Sequence, residues 1–256
     1  MVADQFHRSR TFICGDAAHL WVPMAGYGMN AGIADAMNLS WTLAAYLNGW
    51  ASEKILEVYQ IERQPITGQV SKFAMNHAIQ LHKERLQVPH NIEDDSAEGE
   101  ENRQQFGEKL YHLNVRQYCC SGLNFGYFYE HSPIIHYDDE TAPSYDMNVF
   151  ESSTVPGCRV PHFYLKDGSS LYDVLGTGYT LLSFDNSQCF NEIEQQAQQL
   201  GIPLKILQIK DSIPTDLGYK TSMVMVRPDQ HVAWRGNTLP TDLAQFFGVL
   251  TARLAA

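Results

Sequence analysis

Asp16 is the side chain in this sequence best placed to do chemistry. It follows a short apolar run, residues 11–14, and a glycine, Gly15. That order reads as a buried strand whose end delivers a carboxylate into a turn. The next segment carries Pro23, Gly26 and Gly28 and leads through Met29 into Asn30, where a mostly apolar stretch begins that runs to Leu47. Glycines at a helix start leave backbone N–H groups unpaired beside the positive end of the helix dipole. A presented carboxylate beside a row of unpaired N–H groups makes a site for something electron-rich.

The elements that must position these groups follow from periodicity. Residues 30–47 read as a helix apolar on nearly every face, with Ile33, Met37, Leu39, Trp41, Leu43 and Leu47 pointing in different directions, as in a helix covered on all sides. One face is expected to lack its cover within this chain. Residues 53–82 read as an amphipathic helix that Pro65 kinks or restarts, because an interior proline removes a backbone donor. Residues 89–103 are acidic and poor in apolar groups, which reads as a loop, with a polar helix over residues 101–113 after it. An aromatic run follows at residues 118–129, and a Pro-, Ser- and Asn-rich stretch at 141–154 reads as a linker. Beyond it the pattern gives strands at 161–165, 179–184 and 204–209, a helix at 191–200, a hairpin at 222–226 and 231–234, and a closing helix at 239–254.

The long ordered pattern G-D-A-A-H, then P-x-x-G-x-G-x-N-x-G-x-x-D-A-x-N-L-x-W, then Y-x-x-E-R-x-P at residues 59–65, resembles the second flavin-binding motif of the FAD-dependent aromatic hydroxylases. These are single-component flavoprotein monooxygenases similar to p-hydroxybenzoate, phenol and polyketide hydroxylases. The resemblance implies that Gly15 and Asp16 hold the ribityl chain of FAD. It also implies that Pro23 sits beside the ring near the substrate, and that the segment Gly26, Gly28, Met29 and Asn30 offers backbone N–H groups to the pyrimidine edge. Such an enzyme takes electrons from NAD(P)H, forms a flavin C4a-hydroperoxide and hydroxylates a small aromatic substrate. The C-terminal sequences P-G-C-R-V-P-H-F-Y-L and G-S-S-L-Y-D-V-L-G resemble the thioredoxin-like last domain of the phenol and polyketide hydroxylases.

The expected fold is α/β: a partial FAD-binding domain of strand, loop and long helices over residues 1–140, then a linker, then a thioredoxin-like α/β domain without C-x-x-C over residues 155–256, able to fold by itself. No G-x-G-x-x-G occurs in the chain, so the ADP half of a flavin site is expected from an N-terminal part or a complementing chain. The expectation for the chain is therefore the C-terminal part of a monooxygenase, inactive in isolation. The alternative is a non-catalytic remnant whose last domain is a binding or oligomerisation module. No side chain is nominated as a catalytic acid or base.

Other classes are disfavoured. A net charge of −11 gives no basic stripe for nucleic acid. No apolar run reaches membrane-spanning length and the polar start is not a signal peptide, so the expected location is cytoplasmic. Five cysteines show no metal or disulfide spacing, and Cys189 stands alone where a thioredoxin carries its pair. Packing and homo-oligomer contacts are the expected use of that domain. Two choices stay open: His19 touches the ligand or caps the turn, and Glu62 and Arg63 form a surface ion pair or an anchor for their helix.

Overall fold

A computed structural model describes residues 1–22, 26–185, 187–210 and 212–254. The chain opens with two paired two-residue strands, β1 (His7–Arg8) and β2 (Thr11–Phe12). This is less than the buried strand expected over residues 11–14. Thr11 and Cys14 are exposed and Phe12 and Ile13 half-buried, since among the described residues β2 pairs only with β1. A short 3₁₀ turn, Gly15–Ala17, follows.

Helix α1 (Tyr27–Leu47) runs antiparallel beside α2 (Ile55–Arg85), and the two form the backbone of the N-terminal half. In α2 the buried residues Ile55, Val58, Tyr59, Glu62, Arg63, Ile66, Val70, Ala74, His77 and Leu81 recur at the helical period. Pro65 neither kinks the element apart nor restarts it; α2 is one helix of 31 residues. Pro65 is exposed, so the missing backbone bond lies on the side where water satisfies the freed carbonyl.

Helix α3 (Ala97–Tyr118) starts inside the acidic segment expected to be loop. Its cause is local: the Ser96 hydroxyl accepts from the Gly99 N–H, and Glu98 and Glu100 lie in the first turn, where carboxylates favour the helix dipole. Arg103 then folds back onto the carbonyls of Ile92 and Asp94. The aromatic run holds a short helix, α4 (Ser121–Phe125). Residues 126–170 form no helix or strand.

The C-terminal half contains α5 (Leu171–Val174), β3 (Tyr179–Ser183), α6 (Asn191–Gln199), β4 (Leu204–Gln208), β5 (Met223–Val226), β6 (Val232–Gly236) and α7 (Leu243–Leu250). Its sheet runs β4-β3-β5-β6, with β3 parallel to β4 and antiparallel to β5, and β5 antiparallel to β6. That is the strand order of a thioredoxin-like core. The stretch at 161–165 makes only an isolated bridge from Tyr164 to Ser170, and the closing helix is shorter than its apolar pattern.

Alternation along the strands sorts this sheet's two faces. Tyr179, Leu181, Met223, Met225 and Ala233 face one side; Leu182, Val224, Val226 and Val232 face the other, under Val160, Leu171 and Tyr219. Both faces are buried, which is why these strands read as unbroken apolar runs. The first face also packs Trp41, Ala45, Trp50, Ile55 and Val58 from the N-terminal half, with α6 and α7. The two halves thus share one core. The Tyr179 ring meets Trp41 and Trp50 edge-on at 6.4 and 6.1 Å.

Candidate functional site

The turn at Gly15 is held against α1 by two devices. Gly15 has φ 56°, a left-handed conformation that glycine adopts without strain. The turn also lies so close to α1 that a Cβ on Gly32 would stand 3.3 Å from the Gly15 Cα. The second device is Asp35, just over two helical turns into α1 and fully buried. Its Oδ2 accepts from the Gly15 N–H at 3.2 Å and from His19 Nε2 at 2.7 Å, and its Oδ1 accepts from Arg63 Nε at 2.9 Å. One carboxylate therefore ties both ends of the Gly15-to-His19 turn to α1 and ties α1 to α2.

Burial pushes the Asp35 carboxyl up, but the His19 hydrogen bond and the Arg63 charge outweigh it and leave it below the usual carboxylate range. Tyr59, whose hydroxyl donates to the Ile13 carbonyl, fixes the strand that enters the turn. His19 is 2% exposed and its ring stacks on Trp21 with centroids 4.5 Å apart. Of the two roles open for His19, the structure gives the structural one.

What this frame holds out is Asp16. Its side chain is exposed and makes no hydrogen bond or ion pair among the described residues. At the start of α1, Gly26 is in the left-handed region (φ 67°), and no side chain caps the helix. A Cβ at Gly26 or Gly28 would meet nothing within 4 Å, so the first turn is open to a flat group approaching the backbone. Met29 is 74% exposed, and Asn30 folds back with its Nδ2 on the Gly26 carbonyl. Pro23 lies outside the described residues. A free carboxylate on a clamped turn and an uncapped helix N-terminus fit the ribityl hydroxyls and the electron-rich edge of a flavin.

The expected charged pair of α2 is divided. Arg63 serves Asp35, whereas Glu62, 3% exposed, faces the C-terminal half. Its carboxylate accepts from Arg227 Nη1 at 2.5 Å and Nη2 at 2.7 Å, from Asn38 Nδ2 at 2.7 Å and from Ser132 Oγ at 2.5 Å. Arg227 also donates to both oxygens of Asp229, at 3.0 and 2.6 Å. The surface ion pair is thus replaced by a buried anchor between α2 and the β5–β6 turn. Burial pushes Asp229 up, yet the Arg227 charge and then His231 hold it well below the ordinary aspartate range.

The family described as "FAD binding domain" matches residues 1–74, and the one described as "Aromatic-ring hydroxylase, C-terminal" matches residues 153–253. The FAD-dependent monooxygenase opdD of Penicillium oxalicum is 33% identical over 89% of this chain and 45% of its own length. The chain belongs to the FAD-dependent aromatic monooxygenases. A phenol 2-monooxygenase of Pseudomonas is 28% identical over 94% of the chain and 44% of its own length. The rebeccamycin biosynthetic enzyme RebC, solved with reduced flavin, superimposes with a TM-score of 0.87 at 33% identity, over 98% of this chain and 46% of RebC. The chain thus spans less than half the length of these monooxygenases.

The motif reasoning named Gly15, Asp16, Gly26, Gly28, Met29 and Asn30, and all six lie on the turn or the first turn of α1. It did not name Asp35, Gly32 or the Arg227–Asp229 turn. A signal for Asp35 was available: an aspartate inside a helix apolar on most sides needs a buried partner. Among the described residues no helix is long and apolar enough to cross a membrane.

Proposed function

We propose that this chain supplies the ribityl and ring side of the flavin site in a monooxygenase that hydroxylates a phenolic or polyketide aromatic ring with electrons from NAD(P)H. The observation that carries this reading is the free Asp16 carboxylate beside the uncapped start of α1, both fixed by Asp35. Bound FAD would supply the electron transfer and oxygen activation. Asp16 would hold the ribityl hydroxyls, and the N–H groups at Gly28, Met29 and Asn30, with the α1 dipole, would favour negative charge at the ring edge. His19, Asp35 and Arg63 keep the turn in place. The ADP half of the cofactor would rest on an N-terminal part or complementing chain, and the reaction would take place in the cytoplasm.

Titration of the chain with FAD and with riboflavin tests the division of labour. If this chain recognises only ring and ribityl, the two bind weakly and with similar affinity, and Asp16→Ala weakens both by about 1.5–3 kcal/mol, the range for a hydrogen bond to a charged group. Tight FAD binding that riboflavin does not match would show that the ADP half is recognised here. Unchanged affinity in Asp16→Ala would remove Asp16 from the site.

A further inference from the structure

The two neighbouring cysteines after α3 differ in access to solvent, the property that decides which thiol reacts. Cys119 ends α3 and is exposed, whereas Cys120 is 1% exposed and opens α4. Cys120 packs with Tyr27, Val70, Leu123 and Tyr129 in one apolar cluster. The Tyr27 hydroxyl donates a hydrogen bond to the Cys120 sulfur. Burial, the largest cause, pushes both groups up, so Tyr27 keeps the proton it donates and Cys120 stays a thiol. Tyr27 is the first residue of α1 and sits between Gly26 and Gly28. The Cys120 sulfur therefore fixes one side of the turn where α1 offers its backbone N–H groups.

The peptide between the two cysteines lies outside any helix or strand. Cys120 has φ −84° and ψ 73°, and the Ser121 N–H donates to the Cys119 carbonyl at 3.1 Å, which together make an inverse γ-turn. The backbone is held on both sides: the Cys119 N–H donates to the Val115 carbonyl at 2.8 Å, and the Leu123 N–H to the Met147 carbonyl at 2.9 Å. A change at the pair is thus taken up by this one turn and by what packs on it. Neighbouring Cα atoms are about 3.8 Å apart, below the range of about 4.4–6.8 Å that disulfides ordinarily span. A bond between these two sulfurs is strained, and strained or exposed disulfides are the easily reduced ones. Such a pair suits a reversible modification and not a structural link.

We infer that Cys119 and Cys120 form a peroxide-responsive modification site, in which hydrogen peroxide oxidises Cys119 to a sulfenic acid and Cys120 resolves it to a disulfide. In the first step the Cys119 sulfur attacks a peroxide oxygen, the O–O bond breaks and water leaves. In the second the Cys120 sulfur attacks the sulfenic sulfur, the S–O bond breaks, and the hydroxyl departs as water with the Cys120 proton. The pair gives up two electrons and two protons, and the peroxide takes them. To meet Cys119 the Cys120 sulfur leaves the apolar cluster, and Tyr27 loses its acceptor. Neither step draws on a cofactor, so the modification is read on the chain alone.

The full chain is treated with hydrogen peroxide, digested and weighed by mass spectrometry, and the undigested sample is followed by NMR. The peptide holding both cysteines is expected to lose about 2 Da, the mass of two hydrogens, and to regain it with dithiothreitol. The Tyr27 ring and Gly28 amide signals should shift with the same time course and return on reduction. That return separates them from methionine oxidation, which dithiothreitol does not reverse. Cys119→Ser, at an exposed side chain, should abolish the mass loss and the reversible shifts together. Cys120→Ala should leave Cys119 as a sulfenic acid that dimedone traps. Oxygen added to that peptide in place of the mass loss, a bridge to any other cysteine, or an oxidised pair with unmoved Tyr27 signals would overturn the site. Should Cys120→Ala fail to fold, the wild-type chain and Cys119→Ser decide the matter alone.

Discussion

Glu62→Gln removes one charge from the buried anchor without changing its shape, and the structure sets the size of the loss. Both oxygens of Glu62 accept two hydrogen bonds each, from Arg227 and Ser132 on one side and from Arg227 and Asn38 on the other. A glutamine amide turns an NH₂ group toward one of these pairs: facing Arg227 and Asn38 it loses both bonds, and facing Arg227 and Ser132 it loses the Arg227 bond while the serine hydroxyl turns to accept. Breaking a fully buried ion pair costs about 3–5 kcal/mol. The low end applies here, because Arg227 keeps two bonds to Asp229. With about 2–4 °C per kcal/mol for a chain of this size, a loss of about 3 kcal/mol lowers Tm by roughly 6–12 °C. Thermal unfolding followed by circular dichroism measures it, with Glu151→Gln, the same change at an exposed carboxylate outside any helix, as a control expected to leave Tm unmoved. A Tm drop for Glu62→Gln no larger than that control's would show that the anchor contributes nothing net, and the coupling of the two halves would have to rest on the apolar core alone.

Three further outcomes follow from other parts of the frame. Asp35 and Asp229 both have folded-state carboxyls below the ordinary aspartate value, so their stabilisation is present above about pH 4 and is lost as pH falls below it; Asp35→Asn should flatten the fall of Tm with pH below about 5, and an unchanged slope would refute the clamp. Gly32→Ala should be nearly neutral, since helix propensity gains offset a Cβ at 3.3 Å from the Gly15 Cα, whereas Gly32→Val should cost about 1–3 kcal/mol of overpacking in urea unfolding; equal stability of the two variants would mean the turn yields freely. On α1, Met29, Ile33 and Leu47 are 74%, 60% and 75% exposed and should drive self-association, relieved in the double variant Met29→Glu, Leu47→Lys; a monodisperse wild-type monomer in analytical ultracentrifugation would refute this.

How much of this was readable from the residues divides along physical lines. The strands of the C-terminal half were legible because both faces of the sheet are buried, so β3 and β5 are apolar without interruption. The start of α1 was legible from Gly26 and Gly28. The loop reading at residues 89–103 holds as far as Ser96 and fails from Ala97, because it weighed composition above a local signal: Ser96 followed by acidic residues is a helix start. The run at 161–165 has strand-like residues but no neighbouring strand to pair with, and pairing is a tertiary fact. The anchor was least legible of all: Arg227 and Asp229 sit in a hairpin turn, where charged residues are ordinary, and their partner Glu62 is 165 residues away. Nothing local distinguishes a turn that meets water from one that docks on a helix.

Helix α1 shows why the site and the core cannot be altered independently. Its Gly32 side meets the turn that presents Asp16, and its Trp41 and Ala45 pack into the sheet of the C-terminal half. Its Asn38 reaches Glu62. Only one side, at Met29, Ile33 and Leu47, is left to water. A helix fixed on three sides by close packing has little room to shift, because cores resist displacement of even a methylene. The first turn of α1, where the backbone N–H groups are offered, therefore inherits its position from Trp41 and Tyr179 as well as from Asp35. A cavity-forming change such as Trp41→Ala, far along α1 from Gly28, would then be expected to weaken flavin binding together with stability. Asp16→Ala, on an exposed side chain with no partner to lose, would weaken flavin binding alone.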